Sequence, residues 1–140
     1  MLKKIETLCQ SHDINLTAPR LAVLELLSEN KEAKTAYELL DQYRKKNPSG
    51  QAMTIYRSLD YLVKKQVAHK ISSQNSYQLC TESHTESMSF ILACTVCHQS
   101  IEVPFKSKII LKILRENIFE MSAPVIEITG TCKHCSIQKL

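Results

Sequence analysis

Four of the six cysteines stand in two Cys-x-x-Cys pairs, Cys94/Cys97 and Cys132/Cys135, separated by the 34 residues 98–131. Four thiolates match the number and softness of donors that a tetrahedral zinc ion takes, and a closed all-thiolate shell leaves no position open for water or substrate. The expected role of such an ion is structural, provided that sheet pairing brings the two knuckles together. The competing chemistry is a redox dithiol, which asks for a pair ahead of a helix in a thioredoxin-like βαβ unit, and neither pair is expected to precede a helix in that way. A second constellation is more scattered: His69, Cys80, His84 four residues on, and Glu102 just past the first knuckle. Singly, a histidine on a hairpin or a buried cysteine is more often an ordinary structural residue than a ligand. Together they offer a mixed sulfur, nitrogen and oxygen shell that suits zinc better than iron or manganese, which prefer oxygen-rich shells. No general base beside a nucleophile and no glycine-rich loop accompanies them, so a zinc hydrolase, a thiol oxidoreductase or any other enzyme with a small-molecule substrate is not expected.

The rest of the composition bounds the setting for this chemistry. At 140 residues and 44% hydrophobic, the chain can bury a core as one domain or two small ones. No stretch approaches the roughly 20 apolar residues of a membrane span, and Met1-Leu2-Lys3-Lys4-Ile5-Glu6 lacks the apolar core of a signal peptide. The expectation is a cytoplasmic protein without membrane association, whose cysteines stay reduced and available to metal. Charge and ligands separate along the chain. Residues 1–71 hold 12 Lys+Arg against 8 Asp+Glu, and residues 72–140 hold 6 against 6, so the net charge of +4 lies wholly in the first part. Five of six cysteines and three of five histidines lie in the second part. A basic half points to a polyanionic partner, although a lysine-rich solvated face reads the same way.

The elements that must position these residues follow from periodicity and caps. Residues from Leu2 to about His12 carry Ile5, Leu8 and Cys9 at helical spacing. Thr17-Ala18-Pro19-Arg20 opens a second helix with Leu21, Leu24 and Leu27 on one face, to about Glu29. Thr35-Ala36-Tyr37-Glu38 is a capping box ahead of a third helix with Leu39, Leu40 and Tyr43 inside, stopped by Asn47-Pro48-Ser49-Gly50. A fourth, about Ala52 to Lys65, buries Ala52, Ile55, Leu59 and Leu62 and turns Thr54, Tyr56, Arg57, Tyr61 and Lys64 outward, as a helix reading a DNA groove would. Alternation at Val67, His69, Ile71 and again at Tyr77, Leu79, across Ser73-Gln74-Asn75, predicts a β-hairpin. Helices followed at once by a hairpin are the element order of a winged helix-turn-helix. Beyond it, strands are expected over Ser87–Ala93, Ile101–Val103 and Val125–Thr131, with a helix from Phe105 to about Ile118 that keeps Ile109, Ile110, Ile113 and Leu114 inside. The fold class is α+β, divided into residues 1–80, a hinge around 80–87, and residues 88–140.

At this point Leu16-Thr17-Ala18-Pro19-Arg20, Ala36-Tyr37-Glu38-Leu39-Leu40, Thr54-Ile55-Tyr56-Arg57-Ser58-Leu59, the hairpin with Cys80, and both cysteine knuckles resemble the ferric-uptake-regulator family, most closely its zinc-uptake-regulator branch, over nearly the whole chain. The resemblance implies a homodimeric repressor whose N-terminal winged helix binds palindromic, double-stranded operator DNA. It also implies that the C-terminal αβ domain dimerises and carries a structural zinc on Cys94, Cys97, Cys132 and Cys135. A sensing zinc on His69, Cys80, His84 and Glu102, hence two per chain, and DNA contacts at Tyr37 and Arg57 are implied as well. The run Ser83-His84-Thr85-Glu86-Ser87 departs from the histidine-rich run of the iron and peroxide branches, which leaves an iron- or peroxide-responsive regulator as the alternative. His98 stands where a glycine commonly follows the first knuckle, and the tail after Cys135 is poor in ligands.

Overall fold

The computed structural model describes residues 7, 10, 13–29, 32–81, 88–121 and 123–137. The expected first helix therefore falls mostly outside the described residues; Thr7 and Gln10, which belong to it, are helical. The chain forms two compact units, Met1–Cys80 and Thr81–Leu140.

In the first unit α1 (Ala18–Ser28) starts behind Thr17 with Pro19 in its first turn, where a missing N–H costs nothing. The short strand β1 (Lys34–Thr35) leads into α2 (Ala36–Lys46). Here the capping box forms in full, with the Glu38 N–H donating to Thr35 Oγ1 and the Thr35 N–H donating to the Glu38 carboxylate. After the break at Asn47–Gly50 comes α3 (Ala52–Lys64), then β2 (Ala68–Ile71), a 3-10 turn (Ser72–Gln74) with Asn75 left-handed at φ 47°, and β3 (Ser76–Leu79). β3 is the middle strand of an antiparallel sheet ordered β1-β3-β2. The core comes from one face of each helix and the inner face of the hairpin: Val23, Leu24, Leu27, Leu39, Ile55, Leu59, Leu62 and Val67 are wholly enclosed. Each such side chain contributes roughly 1.5–3 kcal/mol by leaving water. Ala52, expected inside, is exposed at the first position of α3. Lys34 is a buried lysine that periodicity does not anticipate; its ammonium group donates to the Leu26 carbonyl near the end of α1, to Gln42 and to Glu29.

The second unit is a three-stranded sheet ordered β5-β4-β6, from β4 (Met88–Cys94), β5 (Ser100–Phe105) and β6 (Val125–Gly130). β4 pairs antiparallel with β5 and parallel with β6, the crossover passing through α4 (Lys108–Glu116); a short α5 (Lys133–Ile137) follows β6. Two corrections concern α4. It begins at Lys108 rather than Phe105, because Phe105 pairs with Met88 and stacks on Phe90 (centroids 3.8 Å apart), while Ser107 caps the helix by accepting the Ile110 N–H. Of the four apolar residues expected inside, Ile110 and Leu114 are half-buried while Ile109 and Ile113 are 73% and 51% exposed, and none is fully buried. Exposed Leu92, Ile101 and Ile128 occupy one face of the sheet, so this unit presents more apolar surface than one chain covers. The end of α4 is a Schellman motif with Ile118 left-handed at φ 49°, a position that favours glycine.

Candidate metal centre and nucleic-acid interface

The parallel pairing of β4 and β6 explains how the two knuckles meet. Cys94 at the end of β4 is in register with Gly130 at the end of β6, so the chain leaves both strands at the same end of the sheet. The Thr95 N–H and hydroxyl both donate to the Gly130 carbonyl (2.8 and 3.2 Å), tying the two exits together. The four Sγ atoms of Cys94, Cys97, Cys132 and Cys135 then lie within 4.8 Å of one another. Cys97 and Cys132 stand 3.8 Å apart sulfur to sulfur. A tetrahedron with Zn–S bonds of about 2.3 Å has edges of about 3.8 Å, so the donor set fits zinc in spacing as well as in type.

The electrostatics of the cluster are graded. Backbone N–H groups of Cys97, then Cys132 and Val96, point at the Cys94 sulfur and bring its pKa down to about 6; the Cys132 N–H donates to it at 3.3 Å. Cys135 is pushed up to about 12, first by burial and then by the neighbouring thiols. The first knuckle closes with the His98 N–H donating to the Cys94 carbonyl, which puts His98 at φ 60°. This left-handed geometry is the physical reason a glycine suits the position. The second knuckle departs from expectation: Cys135 lies in α5, so a helix does follow Cys132. That helix has only five residues and leads into no further strand among the described residues, so no βαβ unit results.

Of the second constellation, His69 and Cys80 belong to the hairpin. His69 pairs with Gln78, and the Cys80 N–H donates to the Val67 carbonyl (2.8 Å), extending the ladder by one residue. The two side chains are therefore diagonal neighbours on one face. Both are buried, and their ligand atoms lie within 4.8 Å of each other. Glu102 lies on β5, paired with Ile91 in the second unit, and its Oε2 accepts the N–H and the hydroxyl of Thr81, each at 2.9 Å. His84 lies outside the described residues.

The outward face of α3 holds most of the expected DNA-facing set. Ile55, Leu59 and Leu62 anchor the helix, and Ser58 turns its hydroxyl back to the Thr54 carbonyl (2.8 Å). Arg57 and Lys64 are exposed, Tyr56 is 40% exposed and Thr54 is half-buried. Tyr37, at the start of α2, is 80% exposed. Tyr61 differs: it is half-buried, its hydroxyl accepts the Asn15 N–H (2.9 Å), and the Arg20 guanidinium lies 3.5 Å over its ring while donating to the Asn15 carbonyl. Helical angle alone turns Tyr61 outward; the segment ahead of α1 folds over it. Gln51, just ahead of α3, and Met53 in its first turn are exposed as well, and periodicity does not single them out.

Comparison with known proteins agrees with this architecture. The family model of the ferric uptake regulator family matches residues 11–129. The zinc uptake regulation protein of Escherichia coli strain K12 is 33% identical over 143 aligned positions, covering 96% of this chain and 81% of its own. Among solved structures, a zinc uptake regulator complexed with zinc and DNA is 31% identical with a TM-score of 0.82, covering 99% of this chain and 94% of that one. The holo form of XcZur is 27% identical with a TM-score of 0.78, covering 96% of both chains.

Proposed function

Because this chain belongs to the ferric uptake regulator family, we propose that it is a zinc-responsive transcriptional repressor that binds palindromic operator DNA as a homodimer and controls genes of zinc uptake. The observation that carries this reading is the likeness, over 99% of the chain, to a zinc uptake regulator complexed with zinc and DNA. It is a cytoplasmic regulator and not an enzyme. Residues 1–80 are the DNA-binding domain, residues around 80–87 the hinge, and residues 88–140 the dimerisation domain.

We assign two zinc ions per chain. Cys94, Cys97, Cys132 and Cys135 hold the structural one, a reading supported by their spacing and by the N–H groups that favour thiolate at Cys94. His69, Cys80, His84 and Glu102 hold the regulatory one, supported by the donor chemistry and by the packing of His69 against Cys80. Zinc held there would favour the DNA-competent arrangement only if it binds more strongly in that arrangement than in others. In the dimer the two winged helices must stand about 34 Å apart to enter successive major grooves. Arg57, Tyr56 and Thr54 on α3 read the groove, Lys64 and Tyr37 contact the backbone, and Tyr61 holds α3 against the segment at Asn15 and Arg20.

The test is zinc per chain together with zinc-dependent retention of an operator duplex, for the wild type and Cys80→Ser. Two ions falling to one, with the fold kept and zinc-dependent DNA binding lost, is the expected result. One ion throughout with metal-independent DNA binding would leave a structural zinc alone, and tighter regulation by iron than by zinc would move the protein to another branch of its family.

A further inference from the structure

We propose that Thr81 is a positioning residue for Glu102 and, through it, a determinant of which metal the regulatory site accepts; the inference rests on the regulatory set assigned above. Oε2 of Glu102 receives two donors from this one residue, the backbone N–H and the hydroxyl, each at 2.9 Å. A carboxylate oxygen has about two lone-pair sites, so this pair of hydrogen bonds commits Oε2 to Thr81 and turns the carboxylate into a ligand through its other oxygen. A one-oxygen carboxylate suits a four-coordinate zinc shell, whereas a two-oxygen carboxylate raises the coordination number toward what manganese and iron favour. Ligating carboxylates are held in this way by neighbours whose loss costs metal affinity. Thr81 also directly follows Cys80, so a single dipeptide supplies a thiolate ligand and the donors that orient a carboxylate ligand. Thr81 is itself exposed, and replacing it removes little packing.

The experiment uses the full chain with the four-cysteine site filled with zinc, and titrates zinc or cobalt(II) as the second ion. Thr81→Val keeps the shape and removes the hydroxyl; Thr81→Ser restores it. Valine should weaken second-ion zinc binding about tenfold, and serine should return it toward wild type, with melting temperature and the first ion unchanged in both. The cobalt spectrum of the wild type should show the intense d–d bands of four-coordination, weakening in Thr81→Val as coordination expands while the sulfur-to-cobalt band persists. In a Glu102→Ala background Thr81→Val should change nothing further. Zinc binding by valine equal to the wild type, serine as weak as valine, or an undiminished effect without Glu102 would each overturn the proposal. A second ion lost in Cys80→Ser yet indifferent to Thr81 refutes Thr81 alone; a wild type with no second ion refutes the regulatory site and this inference with it.

Discussion

Cys94 and Cys135 lie in one cluster yet sit far apart in proton affinity, near 6 and near 12, because backbone N–H groups face one sulfur and burial dominates at the other. Zinc takes thiolates, so at neutral pH its binding must displace at least the Cys135 proton, and below about 6 the Cys94 proton as well. Structural zinc affinity should therefore fall as pH falls, more steeply once pH drops below 6; competition against a chromophoric chelator at pH 5, 7 and 8 measures this, and a flat profile contradicts it. His98 makes a second case at this scale. Its φ of 60° costs a non-glycine residue about 1 kcal/mol, so His98→Gly should raise the melting temperature without changing zinc stoichiometry. A lower melting temperature would mean that the histidine side chain contributes more than its backbone geometry costs.

Among the elements, α2 and α3 each hold residues whose replacement should separate stability from DNA binding. The Thr35–Glu38 capping box holds the start of α2, and Thr35→Ala should cost about 1 kcal/mol in urea unfolding. Tyr37, two residues on and 80% exposed, should leave stability unchanged when replaced by alanine and weaken DNA binding instead. On α3, Leu59→Ala should cost roughly 2–5 kcal/mol of stability because the side chain is wholly enclosed. Arg57→Ala should spare the fold and cost about 1–3 kcal/mol in binding to operator DNA, with a smaller loss on random DNA. Equal losses on both duplexes would reassign Arg57 to the phosphate backbone. Periodicity located Ile55, Leu59 and Leu62 inside α3 and Tyr56, Arg57 and Lys64 outside it, though not Ala52, and the capping box was written in four consecutive residues. Tyr61 was not legible in this way, because its partners, Asn15 and Arg20, come from a segment about 40 residues earlier, and no local period encodes that contact.

At the scale of the molecule, the second unit carries the clearest sign of assembly. Ile109, Leu111 and Ile113 on α4, with Leu92, Ile101 and Ile128 on the sheet, remain open to solvent in a single chain. A homodimer accounts for such a surface, which few monomeric proteins expose. Ile113→Glu should then convert the dimer to a folded monomer in sedimentation analysis and abolish binding to a two-half-site duplex. A variant that stays dimeric would place the interface elsewhere.

What the sequence determined by itself were the locally encoded features: the two cysteine pairs, the starts of α1, α2 and α3, the alternation of the hairpin, and the charge excess of the first half. These rest on residue type and on periods of two or 3.6, which survive without knowledge of the fold. Only tertiary structure decided that β6 lies beside β4 and parallel to it, which brings Cys132 to Cys94 across 37 intervening residues (95–131). Tertiary structure likewise left Ile109, Leu111 and Ile113 of α4 exposed and gave Tyr61 to Arg20 and Asn15. Strand order and long-range packing are settled by which surfaces can be covered at once, a condition imposed on the whole chain rather than on any one of its segments.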